Sequence, residues 1–142
     1  MAGLSPKLPV SRDSEDGYSL TKTYEEMVRQ NLKNLLLTNP GERMMDPDFG
    51  VGMKRYLFEQ HGVNTYSEIY AKSQEQVEKY MPFVTLEKME FFGPDGLWAT
   101  DTGTASSPPQ NPNSDPNRLQ IKMFFTITPI DEIGTLDLDF AV

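Results

Sequence analysis

Hydrophobic side chains in the first half of the chain recur at helical spacing. A first helix is predicted to begin after Thr23, because Thr23 and Glu26 form a capping box that can satisfy the backbone donors of the first turn. Its apolar face is formed by Tyr24, Val28, Leu32, Leu35 and Leu36. Pro40 and Gly41 predict its end, since proline lacks a backbone donor and glycine tolerates a left-handed turn.

Two further helices are predicted downstream. Asp46 and Pro47 are typical of a helix start, with Asp46 as the N-cap and proline at the first helical position. The apolar residues that follow four apart are Phe49, Met53 and Leu57. A second capping box, at Thr65 and Glu68, predicts the start of a third helix, which Pro82 ends. The apolar face of that helix is Tyr66, Ile69, Tyr70, Ser73, Val77 and Tyr80.

From Val84 onward the hydrophobic period changes to two, which predicts strands. The first strand contains Val84, Leu86 and Phe91. The second contains Leu119, Ile121, Met123, Phe125 and Ile127. The third contains Leu136, Leu138, Phe140 and Val142. Three successive strands after three helices predict an α+β domain with a small antiparallel β-meander.

Two segments have the composition of irregular chain. Residues 93–117 are rich in Gly, Pro, Ser, Thr, Asn and Asp, so they predict a long loop at a hairpin tip, with Leu97 and Trp98 as its only anchor. Residues 1–17 contain scattered prolines and charges and predict a flexible N-terminal arm. Residues 18–142 are therefore expected to form the single folded domain.

Net charge limits the kinds of partner that the chain can bind, and cysteine content limits the kinds of cross-link and metal site that it can form. The formal net charge of −8 gives nucleic acid or an anionic membrane no electrostatic reason to bind. The chain has no cysteine, which excludes a disulfide framework and a thiolate metal site and fits assembly in a reducing cytoplasm. No apolar run approaches the length of a membrane span.

Four carboxylates surround the second predicted helix, where a pair of acids could serve a glycosidase. They are Glu42, Asp46, Asp48 and Glu59. We favour structural roles for them, because Asp46 has a helix to cap and nothing in the sequence indicates the apolar burial that raises the pKa of a catalytic acid.

Other candidate sites are weaker. The single histidine, His61, cannot by itself supply a triad or a histidine-based zinc site. The run 50–54 lacks the Gly-Lys-Ser/Thr ending of a phosphate loop. Adjacent Met44 and Met45 are interpreted as core filler in preference to an adaptable contact surface. We therefore expect no catalytic residue, no cofactor and no metal.

The last predicted strand lies at the end of the meander, so it is expected to form a sheet edge. Asp137 and Asp139 give it one polar face and the alternating leucines give it an apolar one. From the residues alone, this edge is either shielded by its acidic side chains or open to an added strand from a partner.

The run from Leu36 to Gly50, with the Leu-Phe-Glu that follows at 57–59, resembles the signature of the baseplate wedge proteins of contractile phage tails. This family includes the T-even wedge protein, and its members are also called sheath initiators or lysozyme-related baseplate proteins. The residues that carry the resemblance are Gly41, Glu42, Arg43, Asp46, Pro47, Phe49, Gly50, Leu57, Phe58 and Glu59. We expect scaffold roles for them: Gly41 makes the turn, Arg43 pairs with a carboxylate or caps a carbonyl, and Phe58 helps to pack the second helix on the first.

The resemblance implies a structural subunit of the virion's tail baseplate, present in six copies and assembled in the host cytoplasm. Its C-terminal strands would form a sheath-like handshake sheet that accepts arms of the tail sheath protein. The residues expected to bind the sheath are Leu136, Asp137, Leu138, Asp139 and Phe140. Other wedge proteins and tube-initiating or hub proteins are further implied partners.

The family also carries a Glu-Pro-Arg motif that docks on the helical core bundle of the wedge. The matching residues here are Met81, Pro82 and Phe83, so only the proline is kept. Two alternative functions remain at this point. One is a peptidoglycan-cleaving, lysozyme-like hydrolase, and the other is an adaptor unrelated to tails that shares the fold.

Overall fold

A computed structural model gives the structure and describes residues 3–14, 17–59, 63–93, 96–99, 119–128 and 130–140. Its elements are β1 (Ser5–Pro6), β2 (Leu20–Thr21), α1 (Tyr24–Leu37), α2 (Met53–Tyr56), α3 (Val63–Tyr80), β3 (Val84–Gly93), β4 (Gly96–Ala99), β5 (Leu119–Ile127) and β6 (Glu132–Phe140). Helices and antiparallel sheets share the chain, which confirms the predicted α+β class.

Helix α1 begins where the capping box predicts. The Thr23 hydroxyl accepts a hydrogen bond from the backbone N–H of Glu26, with 3.2 Å between oxygen and nitrogen. The buried face of α1 consists of Val28, Leu32, Leu35 and Leu36. Tyr24, predicted to lie on this face, is instead 52% exposed, so the buried face begins one turn later.

The second helix is shorter than predicted and begins later. Asp46 and Pro47 lead into a turn, and α2 starts only at Met53. The backbone φ angles of Gly50 and Gly52 are 107° and 72°, outside the right-handed helical region, so no α-helix can run through them. The three apolar residues predicted to form the buried face of this helix are nevertheless buried: Phe49, Met53 and Leu57.

Helix α3 starts at Val63, before the predicted capping box at Thr65 and Glu68, which therefore does not mark its first turn. It ends at Tyr80, two residues before Pro82, as the proline predicts. Its buried residues are Tyr66, Ile69, Ser73, Gln76 and Val77. Among the described helices, none combines the length and the apolar character that a membrane span requires.

The main sheet has four strands in the order β4-β3-β5-β6, and each neighbouring pair is antiparallel. Strand β5 alternates between buried and half-buried residues, so one face of the sheet is covered and the other faces solvent. The covered face packs against α3 at β3 and against α1 at β6. A bulge between Leu86 and Lys88 shifts the register of β3 against β5.

Part of the loop predicted at 93–117 has regular structure. Residues 96–99 form β4, whose backbone pairs with Glu90–Gly93 at the end of β3. Composition did not predict this strand, because loop-forming residues surround it on both sides. The strand is stabilised by pairing with the end of β3, and composition does not report such pairing. Residues 100–118 lie outside the described residues.

The N-terminal segment, expected to be a flexible arm, is paired in its described part. Ser5 and Pro6 form β1 against β2, in register with Thr21 and Leu20. The side-chain amide of Gln30 on α1 donates to the Pro6 carbonyl at 2.9 Å. These residues of the predicted flexible arm therefore contact the domain through a short strand pair and a helix side chain, contacts that composition does not reveal.

Two methionines allow a matched test of the core. Met53 is 0% exposed and Met45 is 98% exposed. We expect Met53→Ala to lower the free energy of unfolding by about 2–5 kcal/mol, because it leaves a cavity, and Met45→Ala to change it by less than about 0.5 kcal/mol. Urea denaturation of both variants checks this, and equal losses would contradict the placement of α2.

Candidate functional site

The loop between α1 and α2, residues 38–52, contains most of the residues that resemble the wedge-protein signature. Gly41 has a φ of 93°, and its backbone N–H donates to the Pro47 carbonyl at 2.8 Å. The Glu42 carboxylate accepts hydrogen bonds from the backbone and the side chain of Asn39, at 3.1 and 2.8 Å. Gly41 thus makes the predicted turn, and Glu42 stabilises it.

The far end of this loop returns to the end of α1. The backbone N–H of Val51 donates to the Leu35 carbonyl at 3.0 Å, and that of Gly52 donates to the Thr38 carbonyl at 2.9 Å. A Cβ atom at Gly50 would lie 2.2 Å from the Thr38 oxygen, so only glycine fits there. The loop therefore caps the helix with its own backbone.

Gln76 on α3 fixes the same loop from the other side. Its side-chain oxygen accepts from the backbone N–H of Gly50 at 2.8 Å, and its side-chain nitrogen donates to the Asp48 carbonyl at 3.1 Å. Gln76 is 6% exposed; its bond to Gly50 is buried and its bond to Asp48 is partly buried. Sequence reasoning missed this residue, although a glutamine between Ser73 and Val77 on a buried helix face was a usable signal.

The Arg43 guanidinium lies over the ring of Phe49, which in turn contacts Tyr80. Its guanidinium carbon is 3.6 Å from the centroid of the Phe49 ring, and that ring contacts the Tyr80 ring edge-on at 4.9 Å between centroids. The described contact of Arg43 is thus a cation–π contact, where a carboxylate or a carbonyl was expected.

The Tyr80 hydroxyl oxygen is shielded from solvent and has no hydrogen bond of ordinary geometry among the described residues, although Asp46 and Lys79 lie nearby. Burial raises the pKa of the Tyr80 hydroxyl above its usual value, and the Asp46 carboxylate raises it further. Tyr80 therefore stays protonated at neutral pH, and the partly buried Asp46 is its neighbour.

Two parts of the signature region expose large apolar side chains. Met44 and Met45 are 95% and 98% exposed, so their interpretation as core filler is wrong. Phe58, expected to pack α2 onto α1, is 81% exposed, whereas Leu57 is 9% exposed and does fill that role. Both methionines lie in the turn that the hydrogen bond from the Gly41 N–H to the Pro47 carbonyl closes, and both are exposed there.

A chain of side chains ties α2 to α3. The Arg55 guanidinium donates to the Tyr56 hydroxyl at 3.0 Å, and that hydroxyl donates to the Glu68 carboxylate at 3.2 Å. Burial is the main cause that raises the pKa of Tyr56, so the hydroxyl keeps the proton that it donates. These hydrogen bonds connect α2 to α3.

Strand β6 forms one edge of the four-stranded sheet, as predicted: it pairs with β5, and no other described strand lies beside it. Leu136 and Leu138 are buried, whereas Asp137 and Asp139 are exposed. Of Phe140, the structure describes the backbone, which pairs with Leu119. Alternate residues of such an edge direct their N–H and C=O groups away from the sheet.

A groove of about 480 Å³ runs beside this edge, and we call it the edge groove. Its helix side is lined by Lys33 and Leu37 of α1 and by Lys54, Leu57 and Phe58 of α2 and its C-terminal end. Its sheet side is residues 137–139 of β6. The structure thus brings the Leu-Phe part of the signature next to the predicted sheath-binding strand, a juxtaposition that sequence reasoning did not predict.

The sequence of residues 22–95, just over half of the chain, matches the family model described as baseplate wedge protein gp25. The chain belongs to this family. The gp25 assignment makes it a structural protein of a contractile-tail baseplate and a component of the virion. No match was found among curated proteins.

Two solved structures share the fold of this gp25-family chain. The cryo-EM structure of the anti-feeding prophage baseplate contains a chain with a TM-score of 0.61 and 23% identity, over 87% of this chain and 83% of that one. A crystal structure from Geobacter sulfurreducens, provisionally named a tail lysozyme, gives a TM-score of 0.60 and 22% identity, over 87% and 96%. At these identities the likenesses show the fold alone.

The region matched to the gp25 family runs from α1 through β3, so it includes the whole α1–α2 loop. It also includes the three residues expected to dock on the wedge core. Of these, Met81 is 5% exposed and belongs to the core, whereas Pro82 and Phe83 are exposed. Strands β5 and β6 lie outside the matched region, so their role requires its own argument.

The carboxylates considered for hydrolysis have structural neighbours in this gp25-family fold. Glu42 binds Asn39 within its turn, and Asp46 lies beside Tyr80. Glu59 is exposed and its backbone N–H donates to the Tyr56 carbonyl at 3.2 Å. No group of three or more metal-ligating side chains occurs among the described residues, and His61 lies outside them.

Replacing Gln76 tests how the α1–α2 loop is held. We expect Gln76→Leu to lower the free energy of unfolding by about 1–3 kcal/mol, because the Gly50 N–H and the Asp48 carbonyl lose their partner. The matched control is Gln74→Leu on the exposed side of α3, with an expected change below about 0.5 kcal/mol. Thermal or chemical unfolding measures both, and a neutral Gln76→Leu would show that the loop does not depend on this contact.

Proposed function

We propose that this baseplate wedge protein initiates the tail sheath by accepting an extended segment of the sheath protein along the free edge of β6. The observation that carries the proposal is the position of that edge: no described strand pairs with β6 on the side away from β5, and the edge groove lies beside it. An extended chain laid along an edge gains backbone hydrogen bonds, and its alternate side chains enter any groove beside it.

The apolar wall of the edge groove supports strand addition in preference to a shielded edge. Phe58 is 81% exposed beside Leu37 and Leu57, so a hydrophobic side chain of the incoming strand would remove apolar surface from water. A strand of five residues adds a few hydrogen bonds, each with a net value of about 0.5–1.5 kcal/mol. A single contact is therefore modest, and repetition around a ring of six copies would make it strong.

A second surface, at the junction of α3 and β3, is proposed to dock on the helical core bundle of the other wedge proteins. Pro82 and Phe83 are exposed at the junction of α3 and β3, and this junction is held by the hydrogen bond from Thr128 N–H to the Phe83 carbonyl at 3.0 Å. Buried Met81 would support this surface from beneath. We propose that hub or tube-initiating proteins are further neighbours and that assembly occurs in the host cytoplasm.

The proposed function has no catalytic step. The contacts of two carboxylates support this absence of catalysis. Glu42 accepts hydrogen bonds from Asn39 within its own turn, and Asp46 lies beside Tyr80. A glycosidase would need one carboxyl in an apolar site beside a substrate cleft.

Phe58→Asp tests the sheath role. It places a charge in the apolar wall of the edge groove, and because Phe58 is exposed the fold should persist. We expect tails that contain complete baseplates and lack sheath, counted by electron microscopy after complementation of particles without the protein. The control is Val10→Asp, which is also exposed and lies outside the groove.

Sheaths of normal length on Phe58→Asp tails would show that the edge groove does not contact the sheath protein. Loss of the baseplates themselves would instead assign Phe58 to wedge assembly and would equally contradict the proposal.

The hydrolase alternative is tested separately. We expect purified protein to release no soluble fragments from peptidoglycan, and the Glu42→Gln/Asp46→Asn variant to behave identically. Peptidoglycan cleavage that the double substitution abolishes would overturn the structural assignment of these carboxylates.

A further inference from the structure

Two cations border the edge groove from the helix side. Lys33 projects from α1 and Lys54 from α2, and both are exposed. The ion pairs found among the described residues involve other cations, Arg29 with Glu25 and Lys88 with Glu90. In a chain of net charge −8, the helix wall of the groove is thus a local concentration of positive charge.

The sheet side of the groove carries acidic residues that already have neighbours. Asp137 lies opposite Lys122 in the register of β5 and β6. The Asp139 carboxylate accepts a hydrogen bond from the Gln120 side chain at 3.2 Å. Among the described residues, neither Lys33 nor Lys54 forms an ion pair, although Asp137 and Asp139 line the opposite side of the groove.

A strand added to β6 would continue the pleat of the sheet, so alternate side chains would face the helices and solvent in turn. Side chains on the helix face would meet Lys33 and Lys54 together with the apolar wall of Leu37, Leu57 and Phe58. Successive side chains on that face are spaced about 7 Å apart, which allows an acidic residue to be flanked by apolar ones.

We infer that the edge groove selects its incoming strand by charge. Lys33 and Lys54 form ion pairs with an acidic side chain on the helix-facing side of that strand, and apolar residues flank this acidic side chain. The occupant is an extended polypeptide segment with this alternating pattern. The inference rests on the proposed function and specifies the partner that the edge of β6 accepts.

Two synthetic peptides that differ in one residue test the inference. One is Thr-Val-Thr-Glu-Thr-Val-Thr and the other is Thr-Val-Thr-Lys-Thr-Val-Thr, both with blocked ends. Each is titrated into the full-length protein while backbone amide shifts are followed by NMR. We expect shifts at residues 136–139 and about fivefold tighter binding of the Glu peptide, from charge pairing with the lysines. The net charge of −8 predicts the opposite preference, so general electrostatic attraction cannot imitate this result.

Charge reversal provides the matched variants. Lys33→Glu/Lys54→Glu should invert the preference between the two peptides. Lys7→Glu/Lys22→Glu changes the net charge by the same amount at exposed positions outside the groove and should leave the preference unchanged. Raising the salt concentration should reduce the preference in the unmodified protein, because exposed charge pairs are screened.

The outcomes separate this inference from the proposed function. Equal binding of both peptides at residues 136–139, in all three proteins, would leave β6 as a docking edge and overturn the charge selection. If neither peptide shifts these amides, the edge does not accept a strand, and the proposed function and the inference both fail.

Discussion

The path of the backbone between α1 and α2 is the constraint on which the helix wall of the edge groove depends. At Gly50 the chain passes so close to the Thr38 carbonyl that a side chain cannot be placed between them. The backbone N–H groups of Val51 and Gly52 then donate hydrogen bonds to the Leu35 and Thr38 carbonyls at the end of α1, which would otherwise lack a partner in the helix. Because the helix end is capped by the chain that leaves it, α2 must begin beside α1.

This geometry explains why the residues that resemble the wedge-protein signature occur as a block. Gly41 and Gly50 occupy backbone conformations that other residues rarely adopt. Glu42 completes the first turn and Phe49 fills the space between Arg43 and Tyr80. Each residue has a mechanical task in one loop, and the loop in turn places Leu57 and Phe58 beside β6. The matched part of the chain thus builds one wall of a groove whose other wall lies outside it.

Local signals predicted the elements whose stability is decided locally. The cap at Thr23 and the alternation along β5 are both present. A capping hydroxyl lies three residues from the N–H that it binds, and a sheet buried on one face requires alternating apolar residues, so both features can be read from neighbouring residues in the sequence. The predicted helix start at Asp46 was wrong, since two glycines with positive φ follow it and tertiary hydrogen bonds fix them. Gln76 and the edge groove could not be predicted in the same way, because they join segments far apart in sequence.

A sheet edge that can receive a strand can also pair with a second copy of the same protein, and the charges of β6 oppose that self-pairing. If two copies of the protein paired antiparallel through β6 in a register centred near Leu138, Asp137 and Asp139 of one copy would lie near the same residues of the other. Like charges in neighbouring strands are unfavourable, so self-pairing is disfavoured. A strand of a different protein need not carry these acids. The two carboxylates therefore discourage self-association through β6 without opposing the strand addition proposed above.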